Sequence, residues 1–395
     1  MEAAVLDAGS KYLKAGLAVP DQDPSIVIPT AMTKAIDEDL GKENGWLSDE
    51  SQWLHDTVYP IQRGVVKDWD AMEDLWRYVF YTDLGWEVGS EGQVLMADPL
   101  LTSKTLKEKT VQIMFETFNV NGFYAVEQAV LSIYAVGRIS GCAIDIGHGK
   151  IDIAPVWEGA VQHNAVKRLE VSGQDLTFLL GEELEKSNPQ TKLDSSTVEM
   201  LKETYGITAD DQEEYAKKAE GCTTVEHTLP DGQTIKIGKE RYTVGEALFQ
   251  PSFLGVEGYS VAEQLVRSVL LCVPSESQKP LIENIVLCGG TSTMKGLWKS
   301  NTIVEHFQLV LLGWKREMNA IGFDTRFQKE ASLLGTPSFR PSIIKPPEYM
   351  PENTMKNSAW IGGAILAKVV FPQNQHITKA EYDESGPSIV HRKCY

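Results

Sequence analysis

Apolar and polar residues alternate at the start of the chain, where EAAVLDAG and LKAGLAV flank a short turn. This period of two predicts a β-hairpin. Apolar residues then recur every three or four positions in WDAMEDLWRYVFY (69–81) and in TSKTLKEKTVQIMFETF (102–118). That spacing predicts two amphipathic helices, and either Thr102 or Ser103 is available to cap the second.

The rest of the chain mixes strands with helices. Residues 143–155, AIDIGHGKIDIAP, predict a strand, a glycine turn and a returning strand, and the DG pair within 227–244 predicts a second hairpin. The other predicted elements are a helix at 127–138 buried on one face, helical structure over 172–220, a strand at 282–292 that ends in paired glycines, and a helix at 358–370. This mixture indicates a large α/β protein.

The composition is that of an acidic globular chain. The 395 residues are 42% hydrophobic and 23% charged, and the length indicates roughly two to three domains. The net charge of −18 argues against broad electrostatic binding of nucleic acid, which needs a basic face. We expect neither a secretory signal nor a membrane span. The five cysteines form no CxxC pair, which favours reduced thiols in the cytosol or nucleus over a zinc site.

Two segments share one design of strand, Asp-x-Gly, tight turn and returning strand. They are VLDAGSKYLKAG and AIDIGHGKID. Glycine in such a turn lets backbone N–H groups face an anion closely, and a neighbouring carboxylate can hold a hydrated Mg²⁺. An ammonium on the returning strand, Lys14, would neutralise terminal phosphates. The residues concerned are Asp7, Gly9, Ser10, Lys14, Asp145, Gly147 and Gly149.

A third segment, VLCGGTS, carries Gly289 and Gly290 after an apolar strand. These glycines would let a purine or ribose approach the backbone. Each of the three segments is a weak signal alone, because a lone Asp-x-Gly turn or glycine pair usually marks only a turn. Two matched hairpins together with the third segment favour a site for phosphate and metal.

These residues resemble the actin family, and the match runs over nearly the whole chain. DAGSKYLKAG and IDIGHGKIDIAP resemble its two phosphate loops. Other actin-like stretches include YPIQRGVVKDWDAMEDLW, QIMFETFN, QAVLSIYAVGR, LPDGQTIKIG, EALFQPSFLG, AWIGGAILA and YDESGPSIVHRKCY. Within the family, the chain most resembles the nuclear actin-related branch of plants.

The resemblance implies the actin-like ATPase fold: two ribonuclease-H-like α/β halves, a nucleotide cleft and four subdomains. The expected boundaries are 1–28, 60–135 and 358–395 for subdomain 1; 29–59 for subdomain 2, with an altered polymerisation loop; 136–171 and 257–357 for subdomain 3, with an insertion at 297–322; and 172–256 for subdomain 4.

It also implies ATP or ADP with Mg²⁺ or Ca²⁺ in the cleft. Asp7 and Asp145 would hold the metal through water, and Gln128 matches the glutamine that positions the attacking water. The implied nucleotide contacts are Asp7, Gly9, Ser10, Lys14, Asp145, Gly147 and Gly149 at the phosphates, Gly289, Gly290 and Thr291 beside the adenosine, and Lys202, Glu203 and Lys356 at the base. For Lys202 and Glu203 the alternative is a solvated helix face.

Three positions depart from the actin pattern. His148 stands where actin has an acid, which should weaken metal binding. Asp152 replaces a histidine that helps to organise the water, and an ionised carboxylate cannot donate in its place. Lys11 replaces a glycine and would either crowd the γ-phosphate or pair with it. Because phosphoryl transfer rests on positioning, we expect nucleotide binding with little turnover. The alternative is that His148 and Asp152 form a surface pair unrelated to ATP.

The segment 31–56 is polar and acidic with scattered glycines, and we expect a poorly packed loop region there. It corresponds to the actin loop that inserts into the next subunit of a filament. Its acids and a further departure, an arginine in place of a histidine, disfavour polymers, and we expect no sedimentable filaments. These residues are Asp37, Glu38, Asp39, Glu43, Asp49, Glu50 and Arg63.

Residues 297–322, beginning LWKS after TSTMKG, interrupt the family pattern beside the adenosine contacts. They carry an unusual apolar load for a surface loop. One interpretation is a partner-binding helix. The other, which we favour, is unspliced or mispredicted coding sequence, because nothing in the segment continues the flanking pattern.

The leading functional hypothesis is a non-catalytic architectural subunit of a chromatin-remodelling complex. Its expected partners are a helical segment of the remodelling ATPase and a second actin-like protein, with no direct nucleic acid and no membrane. An apolar cleft near 132–138 and 358–370 would take the helix, although simple core packing also explains those segments. The alternatives are a cytoskeletal ATPase that forms filaments, and a kinase or chaperone of the same superfamily. The resemblance implies the nucleus, and also the cytoplasm.

Overall fold

The computed structural model describes residues 3–37, 42–47, 57–209, 211–293, 323–334 and 341–394. The predicted insertion at 297–322 lies outside the described residues, as do 38–41 and 48–56 of the acidic segment.

The strands occur along the whole described chain. They are β1 (Ala4–Ala8), β2 (Tyr12–Leu17), β3 (Ile26–Pro29), β4 (Met32–Asp37), β5 (Lys42–Leu47), β6 (Thr57–Val58), β7 (Ile61–Gln62), β8 (Val65–Val66), β9 (Gln93–Asp98), β10 (Gly122–Glu127), β11 (Gly141–Ile146), β12 (Ile151–Trp157), β13 (Ala160–Val161), β14 (Lys167–Leu169), β15 (Val225–Thr228), β16 (Thr234–Ile237), β17 (Ile285–Cys288) and β18 (Ile377–Thr378).

Two sheets follow the same plan. The six-stranded sheet has the order β18-β10-β9-β1-β2-β3, and β1 runs antiparallel to β2 but parallel to β9. The five-stranded sheet has the order β13-β12-β11-β17 with β14 beside β12, and β11 runs antiparallel to β12 but parallel to β17. Asp7 lies near the end of β1, and Asp145 lies near the end of β11. The predicted internal repeat is therefore a repeat of sheet topology.

The helices connect and cover these sheets. They are α1 (Trp69–Arg77), α2 (Lys104–Gln112), α3 (Gln128–Ala135), α4 (Gly173–Ser187), α5 (Ser195–Tyr205), α6 (Gln212–Gly221), α7 (Glu240–Glu246), α8 (Val261–Leu270), α9 (Gln278–Ile282), α10 (Phe323–Leu334), α11 (Ser358–Val370), α12 (Lys379–Ser385) and α13 (Val390–Lys393). None of the helices in the described part of the chain has the length and apolar character needed to cross a bilayer.

The helix predicted at 102–118 is α2 continued by a π-helical turn. Ser103 is its cap, because the Ser103 hydroxyl accepts a hydrogen bond from Leu106 N at 3.4 Å. Thr102 instead donates to Pro99 O at 2.6 Å. This settles the choice that the sequence left open between the two residues.

A single hydrophobic core joins the two large sheets. It includes Val5 and Leu95 of the first sheet and Ala143 and Val286 of the second, and α3 and α11 contribute to it from between them. Every residue of α3 except Tyr134 is buried. The prediction of one buried face for this helix is wrong, because the helix packs on both sheets and on α11.

Two other predictions are corrected. In the acidic segment, β4 and β5 pair, and β4 also pairs with β6, so its described part is a small sheet and not a poorly packed loop. The hairpin expected over 227–244 consists of β15 and β16 alone, and α7 follows it. There the Glu240 carboxylate, at the first residue of α7, accepts a hydrogen bond from Gly238 N at 2.6 Å.

Candidate functional site

The two Asp-x-Gly turns close with the same hydrogen bond. Gly9 N donates to Tyr12 O over 3.0 Å, and Gly147 N donates to Lys150 O over 2.9 Å. Each turn follows a central strand of its sheet, directly after the Asp-bearing end. The carboxyl ends of strands in α/β sheets are where ligands bind, so both turns lie where a site is expected.

The two turns lie directly against each other. A Cβ at Gly149 would overlap the Ser10 side chain. Ser10 Oγ accepts a hydrogen bond from Gly64 N at 3.0 Å. Glycine at position 149 is therefore required by the close approach of the turns.

The glycine pair after β17 reaches the same place. Gly289 has a φ of +86°, and a Cβ there would overlap Asp145 Oδ1. Thr291 Oγ1 donates to Gly147 O at 3.2 Å, which ties the third segment to the second turn. Gly290 borders open space. The structure thus brings the three sequence segments together.

Two further backbone contacts complete this surface. Lys14 Nζ donates to Lys356 O at 2.9 Å, while the Lys356 side chain is exposed. Gly173, at the start of α4, donates to Gly147 O at 2.9 Å, and a Cβ there would overlap Thr291 Oγ1. Gly173 was missed from the sequence, although a glycine at the first position of a helix, in VSGQD, was an available signal.

Asp7 is buried and has a partner at each carboxylate oxygen. Gln128 Nε2 donates to Asp7 Oδ1 at 2.8 Å, and Lys14 Nζ donates to Asp7 Oδ2 at 3.1 Å. The other end of the Gln128 amide is also occupied, because Lys150 Nζ donates to Gln128 Oε1 at 3.1 Å. Both polar ends of Gln128 are therefore bound to protein groups.

The contacts continue into the second hairpin. Lys150 Nζ also donates to Asp152 Oδ2 at 2.8 Å, and Arg168 donates to both Asp152 oxygens at 2.6 and 2.8 Å. Asp152 is fully buried. We name this set the buried polar chain; its members, in order of contact, are Lys14, Asp7, Gln128, Lys150, Asp152 and Arg168.

The carboxyls of this region have opposite pKa shifts. Burial favours a higher pKa for Asp152, but the hydrogen bonds from Arg168 and the charge of Lys150 outweigh it and lower the pKa. Burial raises the pKa of Asp145, against the charge of Lys150, and the charges of Asp152 and Asp7 raise it further. Among the described residues, no side chain donates a hydrogen bond to Asp145. Asp145 is thus the carboxyl of this site that is left to bind a ligand.

Ion pairs connect the first hairpin and its neighbours to α4 and α5. Lys11 Nζ lies 3.0 Å from Glu199 and 3.3 Å from Glu203. The Arg63 guanidinium makes two hydrogen bonds to the Asp175 carboxylate, at 2.7 and 3.0 Å. We call these five residues the clasp. A phosphate that approached Lys11 would have to compete with two carboxylates.

Lys202 and Glu203 do not form a pair with each other. Lys202 is 2% exposed, and its Nζ donates to Gly173 O and to Thr177 Oγ1, both at 2.7 Å. A solvated helix face is therefore the wrong interpretation for Lys202. The Glu203 side chain is 58% exposed and faces Lys11.

His148 and Asp152 do not form a surface pair either. His148 Nδ1 lies 3.1 Å from Glu199 Oε1, whereas Asp152 is buried between Lys150 and Arg168. The alternative that the sequence left open for these two residues is wrong. Glu199 was missed, because no sequence signal distinguishes it from the other acids of α5.

Comparison with known proteins places these residues in context. The sequence model of the Actin family matches residues 1–299 and 317–395. The chain is 56% identical over 395 residues to Actin-related protein 7 of Arabidopsis thaliana. It is 55% identical over 395 residues to Actin-related protein 7 of Oryza sativa, in subspecies indica and japonica. In each case 100% of both chains is covered. The resemblance seen in the sequence is confirmed.

Proposed function

Because this chain belongs to the actin family and has its α/β fold, we propose that it is a nucleotide-binding architectural subunit of a chromatin-remodelling complex, with little or no ATP hydrolysis. The observation that carries the proposal is the state of Gln128. Its amide nitrogen donates to Asp7 and its amide oxygen accepts from Lys150. One N–H and one lone pair remain, but these two charged contacts hold the amide in one orientation, so it cannot turn freely towards an attacking water.

The converging turns support nucleotide binding. A side chain at Gly149, Gly173 or Gly289 would overlap a neighbour, so the three segments pack closely together, and Gly290 beside them borders open space in which a ligand could approach the backbone. ATP or ADP would place its phosphates against Gly9, Ser10, Lys14, Gly147 and Gly149, and its adenosine beside Gly289, Gly290, Thr291, Lys202, Glu203 and Lys356. A bound Mg²⁺ or Ca²⁺ would neutralise phosphate charge, held through water by Asp7 and Asp145.

The same residues support slow turnover. Catalysis of phosphoryl transfer depends on a positioned water and on charge stabilisation, not on covalent chemistry by the protein. Asp152 is ionised and accepts hydrogen bonds from Lys150 and Arg168, so it cannot donate one to a water. The Gln128 amide is held by its hydrogen bonds to Asp7 and from Lys150. The two side chains expected to orient the water, Gln128 and Asp152, are therefore restrained by protein contacts, while the glycine turns that would bind a nucleotide are kept.

An apolar face supports a helical partner. Tyr134 of α3 and Ile365 and Leu366 of α11 are only partly buried and pack on the shared core. Val369, one turn from Ile365, is 44% exposed. Such a face suits the apolar side of a helix from a remodelling ATPase, with a second actin-like protein beside it. With this role we expect the protein in the nucleus, and the family resemblance implies the cytoplasm as well. The simple core interpretation is confirmed for Ile133 and its buried neighbours.

One experiment tests both the binding of a partner helix and the low rate of ATP hydrolysis. The full chain is mixed with a long helical segment of a chromatin-remodelling ATPase, and affinity and phosphate release from ATP are measured together. We expect binding, and less than one phosphate per chain over the assay. Val369→Asp should weaken helix binding by about tenfold, because it buries a charge in the interface. The matched control is Val273→Asp, at a valine that is 69% exposed.

A phosphate-release rate like that of actin would reject the architectural role. So would equal helix binding by the two valine variants. The cytoskeletal alternative makes the opposite prediction, in which the chain hydrolyses ATP and sediments as filaments under polymerising salt.

A further inference from the structure

The carboxylates of the candidate site are already balanced by fixed protein cations. Asp7 accepts from Lys14, and Asp152 accepts from Lys150 and Arg168. With Asp145 included, the region holds three acids and three bases. A site that depends on a divalent cation usually has an excess of negative charge that the cation neutralises. No such excess occurs among these described residues.

Lys150 is the unusual member of this set. Its side chain is 10% exposed, and its stem lies against Gly64, where a Cβ would approach Lys150 Cδ to 2.6 Å. The packing against Gly64 and the hydrogen bonds to Gln128 and Asp152 hold the ammonium in one place. It is a fixed charge that lies one residue away from Asp7, through Gln128.

Asp152 does not need Lys150 for neutralisation. Arg168 alone donates to both oxygens of Asp152, in the paired geometry that suits a carboxylate. The Lys150 ammonium is therefore a second positive charge. It acts on Asp145 as well, since it lowers the pKa of that carboxyl against the effect of burial.

We propose that Lys150 supplies the positive charge that a divalent cation would otherwise bring, so that ATP or ADP binds this chain almost independently of Mg²⁺ or Ca²⁺. The proposal rests on the proposed nucleotide binding and deepens it. Lys14 and Lys150 repel an incoming cation and attract phosphate, whereas Asp7 and Asp145 do the reverse. Because Asp7 already accepts from Lys14, and Asp152 from Lys150 and Arg168, adding or removing the cation changes the affinity little.

The test is calorimetric titration of the full chain with ATP and with ADP, once in Mg²⁺ and once in EDTA. We expect the wild-type Kd to differ between the two buffers by less than about threefold, or about 0.7 kcal/mol. Lys150→Met should raise the Kd in EDTA by about tenfold relative to Mg²⁺, because the metal must then replace the missing charge. Lys150→Arg, which keeps the charge, should behave as wild type. The control Lys104→Met alters an exposed lysine on α2 and should change neither Kd.

The outcomes separate this inference from the proposed function. Wild-type binding in Mg²⁺ that weakens more than about tenfold in EDTA overturns the inference and leaves nucleotide binding intact. Absence of binding in both buffers overturns both. A folded Lys150→Met chain whose Kd differs between the two buffers by less than about threefold also overturns the inference, because Lys150 would then not supply the charge. If Lys150→Met fails to fold, the wild-type ratio still decides.

Discussion

Glu199 is contacted by three basic side chains of the site. Lys11, His148 and Lys202 surround its carboxylate at 3.0 to 3.7 Å. Burial favours a higher pKa, but the hydrogen bond from His148 and the charges of the two lysines outweigh it and lower the pKa from its ordinary value of 4.5 to about 2. Glu199 of α5 therefore contacts both turns, the first through Lys11 and the second through His148.

This shift predicts how stability depends on pH. A carboxyl with a depressed folded pKa stabilises the fold above its unfolded pKa, and the effect is lost as pH falls from 4.5 towards 2. Glu199→Gln should lower the unfolding free energy at neutral pH by about 2 kcal/mol, after allowance for solvent screening. The difference from wild type should shrink in acid. Denaturant titrations across the pH range measure it.

The matched control is Glu185→Gln, at an exposed glutamate of α4. It should leave the stability unchanged within about 0.5 kcal/mol at every pH. A Glu199→Gln chain as stable as wild type at neutral pH would show that Lys11, Lys202 and His148 do not depend on this carboxylate.

Residues whose role is local were predictable from the sequence, and residues with distant partners were not. Asp7, Gly9, Asp145 and Gly147 follow from the repeated turn alone. Lys150 was missed, although its spacing of two from Asp152 on a strand puts both side chains on one face. Its contact with Gln128 depends on the packing of two sheets, which no local pattern reveals.

At the scale of elements, the packing of α11 on α3 depends on one glycine. A Cβ at Gly362 would overlap the backbone of Leu131, and a helix backbone cannot move aside as a flexible side chain can. Gly362→Ala should therefore destabilise the chain by about 2 kcal/mol, even though alanine is the better helix former. Its thermal unfolding midpoint should fall.

Gly181 of α4 provides the matched comparison. A Cβ there would lie 3.7 Å from the Val198 side chain, an ordinary contact. Gly181→Ala should raise the midpoint, by a gain of about 0.5–1 kcal/mol in helix propensity. A midpoint for Gly362→Ala at or above wild type would contradict the close helix packing.

Helices and strands whose apolar residues recur at a regular spacing were predicted from the sequence. Elements that form by pairing between distant segments of the chain were not. The helices at α1, α2 and α11 follow their apolar spacing. In the acidic segment, β4 is completed by β6, and nothing local to its polar sequence shows that partner. In the GKERYTV stretch, the chain forms α7 from Glu240 onward instead of continuing the strand that was predicted there.

At the scale of the molecule, two kinds of contact hold the halves together. The core around α3 and α11 is shared by both large sheets, whereas the clasp joins the turns to α4 and α5 through charges alone. Family resemblance predicted two halves and a cleft. The clasp was not predictable, since Arg63 and Asp175 are 112 residues apart and Lys11 and Glu203 are 192 apart. The subdomain boundaries stay a prediction.

The clasp predicts an opening motion that salt controls. The Arg63 side chain is 55% exposed, so its pair with Asp175 contributes at most about 1 kcal/mol. Arg63→Gln should speed hydrogen exchange at the amides of both turns by about two- to fivefold, because the halves separate more often. Lys11→Gln should act in the same direction. High salt should raise exchange in the wild type towards the level of the variants, since it screens the same pairs.

Arg77→Gln is the matched control for this prediction. Arg77 is 47% exposed and pairs with Glu73 at 2.9 Å within α1, away from the clasp. It loses a comparable surface ion pair and should leave exchange at the turns unchanged. If Arg63→Gln and Arg77→Gln gave the same exchange rates there, the ion pair at the clasp would be an ordinary surface pair. The halves would then be held by the shared core alone, and access to the turns would not respond to salt.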